Sequence, residues 1–198
     1  MISSSPGTDA LWLETFQRVC GKVAHELKGA LNGVSLNLEV VRSRSLKADA
    51  PASAVATFAG SASTQFEAVM DMTEALLALS RAPQGRVDTG ATARWLVTLL
   101  APAAKADGRE LRIEGSLETV GATSADGSAA RLAIGATLLA AIESSQGVVC
   151  RATDARLQIT SADGTAVATV SDDVLTALKD AGIEIQAETS AISITFPR

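Results

Sequence analysis

Apolar residues recur at alternating spacings of three and four along the first part of the chain, at Phe16, Cys20, Val23, Leu27, Ala30, Val34, Leu38 and Val41. That period marks one stripe of an α-helix, sustained over several heptads as in a coiled-coil-like bundle. Thr8 or Asp9 is placed to cap a helix that begins near Ala10. Continued to about Leu46, the helix would be roughly 55 Å long at ~1.5 Å per residue. Lys47-Ala48-Asp49-Ala50-Pro51 reads as a turn, with Pro51 near the start of a second helix. That helix carries Val55, Phe58, Ala62, Phe66, Val69, Met72, Leu76 and Leu79 at the same spacing, and Ala82-Pro83-Gln84-Gly85 ends it. Two long helices with a short connection predict an antiparallel hairpin. Each seam is more apolar than one hairpin can cover, so a homodimer forming a four-helix bundle is expected. Residues 9–83 are assigned to this unit.

After Val87 the period changes. Thr92 to Ala106 reads as a helix, Leu111-Arg112-Ile113 as a strand, and Ser128 to Ser144 as a helix with Leu132, Leu138, Leu139 and Ile142. Short strand patterns follow at Val148–Arg151, Leu157–Ile159 and Val167–Val170. Asp163-Gly164 is a hairpin-turn signal between the last two. Asp172 to Ala181 reads as a short helix, and Ile183-Glu184-Ile185 and Ile192 to Phe196 alternate with period two. Helices with antiparallel strands predict a compact α+β domain over residues 86–198, and an α+β fold class for the whole chain.

Composition narrows the function. The chain has 198 residues, 47% of them hydrophobic, which supports a packed core. Aromatic residues make up only 3%, with no tyrosine, and the net charge is −5, which argues against a nucleic-acid partner. No apolar run reaches the roughly 18 residues that span a bilayer, and the start, Met1 to Gly7, lacks the basic and apolar regions of a signal peptide. The expectation is a soluble cytoplasmic protein without a membrane partner. Cys20 and Cys150 show no metal-ligand spacing and read as reduced core residues. With one histidine and two isolated cysteines, no metal site is expected.

That one histidine, His25, carries the candidate chemistry. It falls between Val23 and Leu27 of the seam, so its side chain points away from the bundle core. Gly21 and Gly29 share its face, with Lys22 and Lys28 beside them. Two mid-helix glycines cost about 1 kcal/mol each relative to alanine, which suggests a need for open space in front of the imidazole. A neutral imidazole attacks a phosphoryl group through one nitrogen while the other keeps a proton. Glu26 is the adjacent carboxylate suited to accept that proton's hydrogen bond and stabilise the developing imidazolium. Lys22 and Lys28 would offset part of the phosphate charge.

The run His25-Glu26-Leu27-Lys28, followed by Leu31 and Asn32, resembles the dimerisation and phosphoacceptor helix of bacterial two-component histidine kinases, and it occupies the first helix of a hairpin as in that family. The resemblance implies His25 and Glu26 as catalytic residues, with Gly21, Lys22, Lys28, Gly29 and Asn32 facing the partner. Two nearby positions depart from the family. Its usual proline is Ala30 here, which implies a straighter helix. Its usual asparagine or threonine is Gly29, which removes the side chain implied in orienting water for phosphatase activity.

The second domain resembles the family's ATP-binding domain more weakly, from Arg86-Val87-Asp88 onward. The positions implied to bind Mg-phosphate are Ala136 and Ala140. Where a glycine-rich nucleotide loop is implied, Val170-Ser171 leads into Asp172-Asp173-Val174-Leu175, with no glycine and no room for a lid. Asp172-Asp173 reads as a helix N-terminal cap. No other phosphate-cradling motif is present. ATP binding is therefore not expected, and no cofactor is.

The leading reading is a histidine phosphotransferase that relays phosphate between response-regulator receiver domains through His25, resembling the dimeric, kinase-derived family. Mg²⁺ would be supplied by the receiver. The alternative is a non-catalytic pseudokinase that docks a receiver or a kinase hairpin. A third is a piece of a larger sensor.

Overall fold

The computed structural model describes residues 7–47, 51–82 and 85–198. Two long antiparallel helices, α1 (Thr8–Ser45) and α2 (Ala52–Ser80), form the hairpin. The middle of the 47–51 turn, and Pro83-Gln84, lie outside the described residues. Gly7 takes the N-cap place of α1 without a side-chain bond, so Thr8 and Asp9 sit in the first turn rather than capping it.

Helix contact across the hairpin runs one residue away from the apolar seam. Gly33 lies so close to α2 that an added Cβ would stand 2.6 Å from the Gln65 side chain. Asn37 Nδ2 donates to Gln65 Oε1 at 3.0 Å, and the Arg44 guanidinium lies 5.0 Å over the Phe58 ring. The stripe at Leu31, Val34, Leu38 and Val41 is left on the neighbouring side. Leu38 and Phe66, read from their spacing as seam residues, are 53% and 52% exposed. A straight helix drifts about 20° per heptad against a 3.5-residue repeat, and the drift decides which stripe meets the partner helix.

The remainder is a two-layer α/β domain. Strand β1 (Val87–Asp88) leads into α3 (Thr89–Ala106), which is capped by Asp88, whose carboxylate accepts from the Ala91 N–H at 2.8 Å. Then come β2 (Glu110–Glu114), a 3₁₀ turn (Glu118–Val120) and β3 (Ala122–Thr123). Asp126 caps α4 (Gly127–Ser144), accepting from the Ser128 and Ala129 N–H groups. Strands β4 (Gly147–Thr153) and β5 (Arg156–Ser161) precede α5 (Asp172–Asp180), β6 (Glu184–Ala187) and β7 (Ala191–Thr195).

The main sheet runs β2-β4-β5-β7-β6, and β1 pairs with β3 apart from it. It is mixed rather than wholly antiparallel, because β2 lies parallel to β4 through the α4 crossover. Val167–Val170 is not a strand. The place beside β5 is taken by β7, and the segment packs Val167 and Val170 into the core. Asp163 accordingly closes no hairpin. Its carboxylate accepts from the Ser161 and Thr165 hydroxyls and from the Thr165 N–H, which holds it down to about 2. Asp172 and Asp173 occupy the first turn of α5, and Ser171 takes the cap position.

The tight turn is instead between β4 and β5, where Asp154 and Ala155 both adopt positive φ, 49° and 61°. This is the backbone of a two-residue hairpin loop whose hand matches the strand twist, with alanine where glycine is favoured.

Helix α4 is buried on nearly every side, which explains its run of alanine and glycine. One continuous core joins the sheet and α3–α5 to the base of the hairpin, through Leu11, Trp12, Val19, Val23, Met72, Ala75 and Leu79. Cys150 lies inside it, whereas Cys20 is only half-buried, and both are free. No helix among the described residues is long and apolar enough to cross a membrane.

Ala155→Gly should stabilise the protein by about 1 kcal/mol, read as a higher urea midpoint, because it relieves a left-handed alanine. Burial pushes the Cys150 thiol up to about 12, against about 8.5 in an unfolded chain. Folding disfavours the thiolate, so this contribution is complete below the unfolded value and is lost as pH rises above it. Denaturant melts at pH 10 should show about 2 kcal/mol lost, relative to pH 7, that Cys150→Ala does not lose.

Candidate phosphoacceptor surface

Helix α1 changes character along its length. Its buried residues, Leu11, Trp12, Thr15, Val19 and Val23, all lie in its first half. Trp12 stacks on Phe16 with ring centroids 5.3 Å apart. Thr15 and Trp12 press on α4 at Gly135, where an added Cβ would meet Thr15 Cγ2 at 3.2 Å and the Trp12 ring at 3.3 Å. Arg18 Nη2 bonds Glu143 Oε1 at 2.9 Å across the same interface. His25 follows two residues after the last buried position, where α1 leaves the domain surface.

His25 is exposed, as its place in the seam requires. Gly21, Lys28, Gly29 and Asn32 are exposed with it, and Lys22 is half-buried. A Cβ at Gly21 or Gly29 would meet nothing within 4 Å, so nothing within the chain requires glycine at either place. Glu26 is half-buried and makes no ion pair or side-chain hydrogen bond with a described residue. Consecutive helical residues diverge by about 100°, so the Glu26 carboxylate stands round the helix from the imidazole rather than against it. The structure thus brings His25, Gly21, Gly29 and Asn32 to one open face, flanked by Lys22 and Lys28, and leaves His25 and Glu26 apart.

About 10 Å down the same face, at seven residues of ~1.5 Å each, Arg18 borders a cleft of about 380 Å³. Its other walls include Ala136 and Ala140 of α4, Val170 and Ser171, and Val174 of α5. The positions of the degenerate nucleotide motif therefore converge on one place. Leu11, Glu14 and Thr15 of α1 also wall that cleft, so the hairpin lies over the face of α4 that carries Ala136. Among the described residues, no group of three histidine, cysteine or acidic side chains is placed to hold a metal ion.

Arg131 was missed in the sequence. It is only 6% exposed, and it donates to the carbonyls of Arg81 at 2.8 Å and Ala78 at 3.4 Å, where α2 ends. Its Nε has no partner. Burial lowers its pKa, and the Asp126 charge offsets part of this. A cation at a helix C-terminus meets unpaired carbonyls and the negative end of the helix dipole. The signal was there to find, since Arg131 is the one charged residue between Gly127 and Ile142.

Among solved structures, the chain is similar to the histidine kinase AdeS of Acinetobacter baumannii, at 17% identity, with 87% of this chain and 97% of that chain covered and a TM-score of 0.36. No protein-family model matches the chain, and no curated protein matches it.

Because Gly21 and Gly29 stand in open space inside a helix, Gly21→Ala and Gly29→Ala should each raise the stability of the folded protein by about 0.5–1 kcal/mol in chemical denaturation. Gly33→Ala should give no such gain, since its Cβ would displace the Gln65 amide that bonds Asn37.

Proposed function

We propose that the protein is a histidine phosphotransferase in two-component signalling, taking a phosphoryl group on His25 from the phosphoaspartate of one receiver domain and passing it to another. The observation that carries the reading is the exposed imidazole on a helix face kept clear by two glycines that the chain itself does not need. Open space with lysines on either side suits a bulky, phosphate-bearing protein partner better than a small substrate, which would want a closed pocket.

In the forward step one imidazole nitrogen attacks phosphorus. An N–P bond forms, the P–O bond to the donor aspartate breaks, and the aspartate leaves as a free carboxylate. The second ring nitrogen keeps its proton. Glu26 accepts a hydrogen bond from that N–H after its side chain swings toward the imidazole, and it stabilises the positive ring. Lys22 and Lys28 lower the charge cost of bringing the phosphate to the helix. Mg²⁺ comes with the receiver, and the reverse step on a second receiver completes the relay. ATP takes no part, because Ala136 and Ala140 offer no ligand groups and α1 walls the cleft they line.

The hairpin works as a dimer in this reading. No described residue from Ala24 to Ser61 is buried, and two helices without a buried contact are marginal in water. A second copy would supply the missing half of a four-helix bundle.

A non-catalytic docking role is the second reading. It is favoured by the unpaired state of Glu26, which leaves the imidazole without a fixed tautomer. Incubation with a panel of phosphorylated receivers separates the two. The transfer reading expects acid-labile label on the wild type and none on His25→Ala, with Glu26→Gln still docking but slowed by about 10²-fold. Label on His25→Ala sinks it. Tight receiver binding without label on the wild type establishes the docking role instead.

A further inference from the structure

We infer that the groove between the end of α2 and α3 receives the first turns of α1 from a second copy of the chain, so that the dimer extends past the helical bundle into the α/β domain. This rests on the dimeric hairpin proposed above. The groove holds about 580 Å³ and has Met70, Leu77 and Trp95 along its apolar part, with Arg81, Arg86 and Glu74 at its rim. Asp88 also borders it, but its carboxylate is committed to the Ala91 N–H. The rim therefore carries an excess of positive charge. The backbone there is fixed from below by Arg131, which holds the carbonyls of Ala78 and Arg81.

The matching element lies on α1. Asp9, Leu13, Phe16, Cys20, Ala24, Leu27, Leu31, Val34, Leu38 and Val41 form one stripe at spacings of three and four, and Asp9 is its only charged member. The stripe stands about a quarter turn from the positions that face α2, at ~100° per residue. On α2, Phe66, Met70, Thr73 and Leu77 stand about a quarter turn from Phe58, Ala62, Gln65 and Val69. Both offsets run in the same rotational sense along the chain, and in an antiparallel pair this puts the two stripes on one side. His25 points to the other.

All eight large apolar side chains that stand exposed belong to the hairpin, and six of them, Leu13, Leu31, Leu38, Phe66, Met70 and Leu77, lie on these two stripes. From Asp9 to Val41 the face is roughly 48 Å long and two helices of ~10 Å wide. That is on the order of 900 Å² per copy, close to the roughly 800 Å² per partner of a stable interface.

The position of α1 follows from the hairpin register. Gly33 faces Gln65, and Arg44 faces Phe58. The register carried downward sets Cys20 at the level of Ser80, and Leu13 and Asp9 at the level of the segment that enters α3. A two-fold axis along the bundle brings the same ends of both hairpins together. Each α1 start then lies beside the other copy's α2 end, with Leu13 over Leu77 and Trp95, and Asp9 at Arg81 and Arg86. The contact is isologous, so it occurs twice per dimer.

The test is sedimentation of the full chain across a dilution series, with circular dichroism as a check on folding. The wild type should be a dimer. Asp9→Arg and Arg81→Glu should each raise the dimer dissociation constant by roughly tenfold or more, since each change acts at two equivalent sites. Leu13→Asp, at a position exposed in the single chain, should do the same without loss of helix signal. Asp9→Arg combined with Arg81→Glu should recover most of the affinity. A wild-type dimer indifferent to all of these changes overturns the docking of α1 while leaving the bundle intact. A wild-type monomer overturns both. Neither outcome touches the labelling of His25, which is read separately.

Discussion

The close approach of α1 to α4 at Gly135 sets the geometry of everything else. A helix pair normally keeps 8–10 Å between axes according to the side chains at the contact. Here the α4 surface is glycine and alanine, and α1 contributes Trp12 and Thr15 to fill it. The result is a hairpin seated on the domain as part of one core, held further by Arg18 on Glu143 and by Arg131 under the end of α2. The exposed Arg18–Glu143 pair contributes little energy on its own. Arg131 matters more, because removing it would strand the helix-end carbonyls it serves in a buried place.

The same contact joins the two functional readings. By lying over the α4 face that carries Ala136, α1 converts what the sequence suggests was a nucleotide surface into a helix-packing surface. A phosphoryl group for His25 must then arrive from outside the chain. The open ground around the imidazole, with glycine on both sides and lysine flanking, is shaped for such an arrival. The opposite side of the hairpin is apolar and suited to a second copy. One helix thus carries three duties on three faces, and the register of apolar residues separates them.

Much of this was legible in the sequence. The long hairpin followed from apolar spacing, and the exposure of His25 followed from its place between Val23 and Leu27. The ends of α3 and α4 fell within a few residues of expectation, because Asp88 and Asp126 act as caps. What failed did so for tertiary reasons. Val167–Val170 has strand-like residues, but its ladder position went to β7. The β4–β5 turn was invisible because Asp154-Ala155 lacks the glycine that usually marks such a loop. Which apolar stripe of α1 meets α2 depended on one small residue, Gly33, and on the Asn37–Gln65 bond, neither of which a hydrophobic pattern registers. Arg131 needed a partner some 50 residues away to make sense. The likeness of Ala136 and Ala140 to lost ligand positions could be read from the sequence, but not that α1 itself walls the space beside them.

The burial profile of α1 ends at Val23, two residues before His25. Below that point the helix shares the cooperative unit of the domain. Above it, the backbone depends on α2 and on whatever covers the apolar stripe, so its amides should exchange with solvent by local opening well before the core does. If a second copy provides that cover, order in the upper hairpin is linked to protein concentration by mass action. His25 stands at the boundary between the two regimes. Its readiness for a partner would then rise and fall with the amount of protein present, making expression level itself an input to the signal.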